Sequence, residues 1–388
     1  MDLRMRNIIK KGGFLFVLLC VALIMNNRFG YITMIGLFSI MVVASIVLRK
    51  PALDKIGLVV AIYCVLYIIL SAFNGFNYSL STLVLYLVAP PIFYYYGMRI
   101  SDFCDTERDL SCVWFIIILC YALDVIITGV SNIVTTGEMF ALNRSFSFYE
   151  GKEVGATNLG LPLDIGVVGV SMAILCSDRK MKVLYFILAF FSALIVIHLL
   201  NRTGLVVLFL CLVGLVCIKS IKSGKFLMLA VLFVLLVLSI LGTTEILNSE
   251  VVSLYTERNE MEGLEGRSDR WVNNFSNLLL KPFGWAEDGE TYYIHNMWLD
   301  IARVSGFLPF CILFVLSVSF FWKAIKSALK YDSESSYLIL GLNICFFASC
   351  FVEPIYGGTH FMLYCLLWGC QSAWYKKYRQ IYREKKVH

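Results

Sequence analysis

The sequence has few charged residues. Only 15% of its 388 residues are charged and 59% are hydrophobic, whereas about a quarter of the residues in a soluble domain are charged. The mean hydropathy is +0.78, so the chain has too little polar surface to cover itself in water. Because a membrane-spanning helix needs about 20 mostly apolar residues, the composition predicts a polytopic membrane protein.

Several signatures of metal and cofactor chemistry are missing. The 13 cysteines form no CxxC pair and almost all fall inside apolar runs, which favours packing over disulfide or metal binding. The sequence has no D-x-D pair, no His/Cys/Asp cluster with metal-ligand spacing and no glycine-rich phosphate loop. We therefore expect no metal and no cofactor, and no energy supply from a bound nucleotide.

The apolar runs predict an all-α membrane protein with about twelve transmembrane helices, forming a single integral membrane domain over 1–388. The predicted spans are 13–25, 31–48, 56–73, 80–97, 112–130, 159–176, 183–200, 205–218, 226–242, 304–322, 336–355 and 361–375. The first run resembles a signal peptide because its start is basic. No A-x-A cleavage pattern follows it, so we expect a retained helix.

The distribution of lysine and arginine predicts the orientation. If the N-terminus is cytoplasmic, 24 of the 33 basic residues fall in inner segments, as the positive-inside rule requires. Both termini are then cytoplasmic, and 243–293 is the main outer loop. The net charge of +6 reflects this bias and does not indicate nucleic-acid binding.

The basic residues predicted to lie outside are unusual in type. Seven of these nine are arginine, against eight of the 24 inside. The outer arginines are Arg28, Arg144, Arg202, Arg258, Arg267, Arg270 and Arg303. Arginine binds phosphate through a planar fork of donors. The alternative is ion pairing with outer acids, which we expect for Arg303 because Asp300 lies three residues earlier.

Titratable groups also concentrate toward the outer side. Three of the four histidines fall at outer helix ends or loops: His198, His295 and His360. His198 and Arg202 are four residues apart and are predicted to share a helical face. Three acids lie in the outer halves of predicted spans: Asp124, Asp164 and Glu353. Acids inside a membrane are costly and mark functional candidates, and proton-coupled transport is one such function.

Three short motifs follow one another on the predicted outer side. "NRTG" (201–204) opens a span, and "GRSDRW" (266–271) lies in the long acidic loop. "HNMWLDIARVSGFLPF" (295–310) opens the next span. In the second motif Arg267 and Arg270 are three apart and could form one cationic face. Trp271 could stack on a sugar or sit at the membrane interface.

The order of these motifs resembles the O-antigen ligase and polymerase family of bacterial envelope glycosyltransferases. Members carry an Arg-Ser/Thr-Gly helix start, a Gly-Arg…Trp segment in the large periplasmic loop, and His-Asn-x-x-Leu with a downstream glycine. The last pattern is matched here by His295, Asn296, Leu299 and Gly306. The resemblance covers 201–320; the N-terminal half matches only in hydropathy and span count.

The resemblance implies a metal-independent glycosyltransferase of C-type membrane architecture in the bacterial inner membrane. It would act on undecaprenyl-diphosphate-linked oligosaccharide at the periplasmic face. His295 would be the catalytic histidine, and Arg202 with Arg267 would bind diphosphate, Arg270 being the alternative to Arg267. The supporting candidates are Asn296, Asp300, His198, Arg144, Trp271, Glu353 and His360.

The residues suit this chemistry, because arginines can stabilise a departing diphosphate and histidine can accept the proton of an attacking hydroxyl. We expect a polymerase of O-antigen or capsular repeat units. The alternatives are a ligase that transfers glycan to lipid A-core, and a polysaccharide flippase or proton-coupled transporter. Expected partners are the lipid-linked oligosaccharide, a chain-length regulator, a flippase and membrane lipid.

Overall fold

The computed structural model describes residues 16–24, 54–138, 144–148, 151, 153–223, 265–286 and 294–387. The predicted spans 31–48 and 226–242 lie outside these residues, as do 243–264 and 287–293 of the predicted main outer loop. The described part is mostly helical, so the predicted all-α class is confirmed at that level.

Fourteen helices can be numbered along the described residues. They are α1 (16–24), α2 (Lys55–Phe73), α3 (Leu80–Leu87), α4 (Ala89–Phe103), α5 (Glu107–Thr136), α6 (Ala156–Val167), α7 (Gly169–Leu175), α8 (Arg179–His198), α9 (Arg202–Ser223), α10 (Glu265–Leu280), α11 (Met297–Ser305), α12 (Phe307–Tyr331), α13 (Glu334–Val352) and α14 (Thr359–Val387). Two three-residue strands, β1 (Arg144–Phe146) and β2 (Glu153–Gly155), pair antiparallel with Arg144 opposite Gly155.

Six of the described helices are long and apolar enough to cross a membrane: α2, α5, α8, α9, α12 and α13. The bent pair α3–α4 makes up to seven if it counts as one span. These helices are those of a membrane-spanning protein. The count of about twelve stays a prediction. Among the other predicted spans, 159–176 corresponds to the two shorter helices α6 and α7. The predicted span 361–375 lies in α14, which is less apolar than the six helices named above.

Two breaks between helices coincide with prolines or with a glycine of positive φ. The helices α3 and α4 meet at Val88 with a bend of 41°, and Pro90 and Pro91 occupy the first turn of α4, where the missing N–H groups are tolerated. Pro309 falls within the predicted span 304–322. It lies in the first turn of α12, and the chain breaks at Gly306, whose φ is 87°.

The chain divides into two compact units. Unit 1 takes its described residues from Met1–Asp124, Asn274–Trp322 and Cys350–His388, and unit 2 from Val125–Asn273 and Lys323–Ser349. In unit 1 the helices α4 and α14 pack backbone against backbone. A Cβ on Gly97 would lie 1.9 Å from the Leu366 carbonyl oxygen, and one on Gly369 would lie 1.7 Å from that of Tyr94. Glycine at both positions permits this close approach.

The same packing explains why α14 need not be uniformly apolar. From Thr359 to Gln371 every residue of the helix is buried, whereas Tyr375 further on is half-buried. It is therefore surrounded by protein over this length and not by solvent or lipid. In unit 2 the corresponding close packing joins α6 to the start of α9, where Gly160 lies against the side chain of Asn201.

Candidate functional site

His295 occupies a constrained position immediately before α11. Its backbone is left-handed, with φ 60°, a conformation in which histidine is more common than most non-glycine residues. Asn296 caps the helix, because its Oδ1 accepts a hydrogen bond of 3.1 Å from the Leu299 N–H. Asp300, one turn into the helix, accepts a 2.8 Å hydrogen bond from the N–H of Ile294. These contacts hold the backbone on both sides of His295.

The imidazole of His295 faces a carboxylate. Its Nδ1 lies 3.8 Å from Oε2 of Glu353, with 29% of the histidine side chain and 9% of the glutamate side chain exposed. No hydrogen bond to His295 Nδ1 is present within the described residues. The pair therefore has the composition of a base and its orienting acid.

Contacts on either side of the pair fasten the end of α13 to the start of α11. Asn296 Nδ2 donates to the Phe351 carbonyl oxygen at 3.3 Å. The Cys350 thiol lies 3.8 Å from the thioether sulfur of Met297. The rings of Trp298 and Phe351 meet edge to face at 4.8 Å. The segments that carry His295 and Glu353 are thus held together by three contacts that do not involve the pair itself.

The loop that follows Glu353 is fixed by aromatic rings. Tyr356 stacks on Tyr86 at 5.1 Å with the planes 9° apart, and it meets Tyr67 at 4.5 Å and Phe361 at 5.0 Å. Gly357, with φ 79°, lies so close to Tyr86 that a Cβ would come within 2.1 Å of the ring. Sequence reasoning missed this support. The Gly-Gly pair at 357–358 signals a turn, but the sequence does not indicate which ring it would face.

Burial changes the acidity of Asp300. Removal from water raises its pKa from an ordinary 3.8 to about 6, although the Ile294 N–H and the charge of Arg303 oppose the rise. Arg303 lies three residues later in α11 and is itself buried. The charge of Arg303 lowers the pKa of Asp300 and so opposes the effect of burial; the expected ion pair between the two side chains stays a prediction. A proton can leave or join Asp300 close to neutral pH.

In unit 2, His198 and Arg202 occupy a different arrangement from the predicted one. The helix α8 ends at His198 and α9 begins at Arg202, so the prediction that they share one helical face is wrong. The chain reverses between them because Leu200 is left-handed, with φ 50°. Asn201 accepts a 3.2 Å hydrogen bond from the Gly204 N–H and caps α9. His198 is buried and Arg202 is half-buried.

This helix start is closely packed around Asn201. Gly160 of α6 has no side chain where a Cβ would lie 1.9 Å from Asn201 Nδ2. Gly204 leaves room for the buried Asp164, whose Oδ1 would lie 3.0 Å from a Cβ there. The "NRTG" motif therefore has a direct packing role, in which its glycine and its asparagine both make contacts that a larger residue would disturb.

The other predicted site residues occupy several elements. Arg267, Arg270 and Trp271, which were assigned to the main outer loop, all belong to the helix α10. Arg270 and Trp271 are half-buried. Arg144 begins β1. His360 is buried in the first turn of α14 in unit 1, with its ring 6.3 Å from that of Tyr121. The structure thus brings His295 together with Asn296, Asp300 and Glu353 in unit 1.

Within the described residues, no three His, Cys, Asp or Glu side chains are grouped so that they could hold a metal ion. No protein-family model matches the chain, and no curated protein is significantly similar to it.

Proposed function

We propose that the protein is a polysaccharide polymerase that joins undecaprenyl-diphosphate-linked repeat units at the periplasmic face of the inner membrane. The observation that carries the proposal is the partly exposed His295 imidazole with Glu353 behind it at 3.8 Å. A general base must be accessible on one side and oriented on the other. The sequence resemblance supplies the reaction class, since it is the histidine of the His-Asn-x-x-Leu pattern that has these properties.

The proposed step is a glycosyl transfer. A hydroxyl of the acceptor sugar attacks the anomeric carbon of the donor and forms the new glycosidic bond. The bond to the lipid diphosphate breaks with its electron pair, and the hydroxyl proton passes to His295. Glu353 stabilises the imidazolium that results. The leaving diphosphate carries the developing negative charge, for which Arg202 and Arg267 are assigned by resemblance, with Arg270 as the alternative.

The polymerase is preferred to a ligase on one consideration only, which is that many envelope gene clusters each carry a divergent polymerase. The acceptor decides between them. A polymerase transfers the growing glycan to another lipid-linked repeat unit, whereas a ligase transfers it to lipid A-core. A deletion strain tests this directly through the banding of its lipopolysaccharide or capsule. A single repeat unit on core supports the polymerase, while core without any glycan favours a ligase or an earlier step.

A purified system tests the chemistry itself. The full chain is incubated with lipid-diphosphate-linked oligosaccharide, and products are separated by length. Longer lipid-linked glycans with release of free undecaprenyl diphosphate support the proposal. Transfer of the glycan to added lipid A-core, with no lengthening of the glycan itself, would replace the polymerase with the ligase.

Transport is the second candidate, and the broken helices favour it. The α3–α4 pair bends by 41°, and α6 gives way to α7 at Val168 after an internal proline, Pro162. Helices interrupted within the membrane are common in transporters. Movement of the oligosaccharide lipid across vesicle membranes with no change in its length would support transport and contradict the polymerase.

A further inference from the structure

The helix α10 has an exposed apolar side that the proposed function does not use. Phe275 and Leu279 lie one turn apart on the same face, with 63% and 74% of each residue exposed. Asn273 and Ser276, which are also exposed, lie on the neighbouring flank of the helix. The opposite side faces protein, where Leu278 is buried and Asn274 accepts a 2.7 Å hydrogen bond from the Trp285 ring N–H. Exposed Val272 widens the apolar side, while Asn273 and Ser276 form a polar flank in the middle of the helix, and exposed Leu280 follows on that flank in the last turn.

This helix cannot be a membrane span. It has 16 residues, whereas a span needs about 20, and "EGRSDRW" opens it with four charged groups. A helix of low overall hydrophobicity, with most of its exposed apolar residues on one side, is typical of a segment that lies in the plane of a membrane surface.

The turn after α10 is fastened to the ends of two membrane-length helices. Asn74, the residue that ends α2, donates through Nδ2 to the carbonyl oxygens of Phe283 at 2.6 Å and Val304 at 2.9 Å. Phe307, the first residue of α12, donates its N–H to the Pro282 carbonyl oxygen at 2.8 Å. Because α2 and α12 are both membrane-length helices, the C-terminal end of α10 lies at the level where they leave the membrane.

Glycines make this attachment close. Gly284, with φ 110°, leaves space for Asn74, whose Nδ2 would be 2.4 Å from a Cβ. Gly306, with φ 87°, leaves space for the backbone of Pro282, whose carbonyl oxygen would be 2.4 Å from a Cβ at position 306. Both positions require glycine for the backbone conformation as well as for the space. The attachment is therefore specified at several residues and is not a single loop contact. Sequence reasoning did not include Asn74, although Asn-Gly marks a turn.

The apolar side of α10 continues a lipid-facing surface. Phe73 at the end of α2 and Leu308 at the start of α12 are both exposed, as are Leu280 and Phe283 at the end of α10. Phe73 precedes Asn74, and Leu308 follows Phe307, so each adjoins a residue that holds the turn. Exposed apolar residues on a helix of membrane-spanning length are suited to contact with acyl chains. The apolar flank of α10 begins where those surfaces end.

We propose that α10 is an interfacial helix, with Phe275 and Leu279 inserted among the acyl chains of the adjoining leaflet. Asn273 and Ser276 face the water. Lys281, exposed at the end of the helix, lies where a phospholipid phosphate can accept its hydrogen bonds. The occupant of the apolar flank is the bulk phospholipid of the membrane. This proposal does not depend on the catalytic one.

Site-specific photocrosslinking tests the orientation of α10. The full chain is prepared in four forms, each with p-benzoyl-phenylalanine replacing one residue: Phe275, Leu279, Asn273 or Ser276. Each is reconstituted into vesicles of phosphatidylethanolamine and phosphatidylglycerol with tagged acyl chains and no polyprenyl lipid, and then irradiated. We expect a lipid adduct several-fold stronger from positions 275 and 279 than from 273 and 276.

The matched pairs make the result decisive, since all four positions are exposed and lie on one helix. Equal lipid labelling at the four positions, or none at 275 and 279, would overturn the proposal. A crosslinked dimer of the chain from 275 and 279 in place of a lipid adduct would also overturn it, because the flank would then be an interface between copies. Lipid labelling at 275 and 279 that appears only after a polyprenyl diphosphate is added would assign the flank to the donor lipid instead.

Discussion

Two helix starts, one in each unit, use the same backbone arrangement. In unit 2 the left-handed Leu200 precedes Asn201, which caps α9 through the Gly204 N–H. In unit 1 the left-handed His295 precedes Asn296, which caps α11 through the Leu299 N–H. Both helix starts thus place a strained, left-handed residue immediately before an asparagine cap.

The difference lies in the strained residue. A left-handed conformation costs a non-glycine residue about 1–2 kcal/mol. Leu200 is fully buried, and burial of its side chain offsets that cost, whereas His295 keeps 29% of its side chain exposed and faces Glu353. The left-handed residue therefore contributes to packing in unit 2, where it is Leu200, whereas in unit 1 it presents the partly exposed ring of His295. Strain that burial does not offset is a reason to look for function.

The strongest test of this difference is removal of the His295 ring. We expect His295→Ala to abolish glycan transfer, because loss of a general base costs about 100- to 10,000-fold, while donor binding remains. His295→Gln keeps a hydrogen-bonding group but accepts no proton, so it fails too. The measurement is product formation by purified protein with lipid-diphosphate oligosaccharide.

Substantial turnover in His295→Gln would give His295 only a positioning role. The base would then have to be sought among His198, His360 and Glu353. Glu353→Gln provides the intermediate case, in which the imidazole remains but its orienting charge is lost. Its rate should lie between those of the wild type and His295→Ala.

Arg202, the first residue of α9, provides the second test. If it binds diphosphate, the helix start in unit 2 also carries a functional residue, next to a turn that otherwise serves packing. Arg202→Lys and Arg267→Lys keep the charge but lose the planar fork. We expect each to lower the transfer rate by on the order of 100-fold, measured in the same assay after membrane insertion is verified. Arg270→Lys is the control and should be milder. Normal glycan banding with either of the first two variants would reduce that arginine to an ion-pair partner.

Much of the fold could be predicted because lipid requires helices to satisfy their own backbone hydrogen bonds. The predicted spans 56–73 and 183–200 correspond closely to α2 and α8. The chain reversal at Leu200 was not predictable, since leucine has no preference for the left-handed conformation, and the prediction of a face shared by His198 and Arg202 failed for that reason.

The candidate site was predictable only in part. The sequence indicated His295, Asn296 and Asp300 because they open a hydrophobic helix. It also singled out Glu353 as a costly acid, but it did not pair Glu353 with His295, because that pairing depends on contacts that Cys350 and Phe351 make with the start of α11. The aromatic support around Tyr356 was missed for the same reason, as ring contacts between helices distant in sequence leave no local pattern.

The third test disturbs the aromatic contacts that hold the loop after Glu353 in unit 1. Gly357→Ala places a Cβ within 2.1 Å of Tyr86 at a position with φ 79°. The left-handed backbone costs about 1–2 kcal/mol and the overpacking about 1–3 kcal/mol. We expect the free energy of unfolding in mild detergent to fall by that sum and transfer to fall with it, since the loop carries Glu353. Gly358→Ala is the matched control, because its nearest contact is 3.3 Å and no positive φ is required. Equal effects of the two variants would contradict this role for the ring of Tyr86.

The fourth test compares equivalent positions four residues after each cap. That position is Leu205 in α9 and Asp300 in α11, and each donates its N–H to the carbonyl oxygen of the capping asparagine. The pKa of Asp300 is raised from 3.8 to about 6, so between these values the folded protein holds more protons than the unfolded chain. Stability therefore falls as pH rises through this window, by at most about 3 kcal/mol.

Asp300→Asn is the matched variant, because its amide oxygen can still accept from Ile294 but does not titrate. We expect the difference in unfolding free energy between wild type and variant to change over pH about 4 to about 6 and to be constant above it. The measurement is denaturant unfolding in detergent at several pH values. A difference independent of pH would mean that Asp300 keeps its ordinary acidity.

The smallest expected effect concerns the cap of the unit 2 helix start. Gly160→Ala places a Cβ 1.9 Å from Asn201 Nδ2, so the asparagine must rotate away and α9 loses its cap. A lost asparagine cap costs about 1 kcal/mol. Asn201→Ala removes the same hydrogen bond directly and also clears the space beside Gly160. If Gly160→Ala acts through the cap, the double variant should be no less stable than Asn201→Ala alone, which a double-mutant cycle of unfolding free energies measures. Additive losses would show that Gly160→Ala disturbs the packing of α6 by another route, and the Asn201 side chain would then not be the reason that this position is glycine.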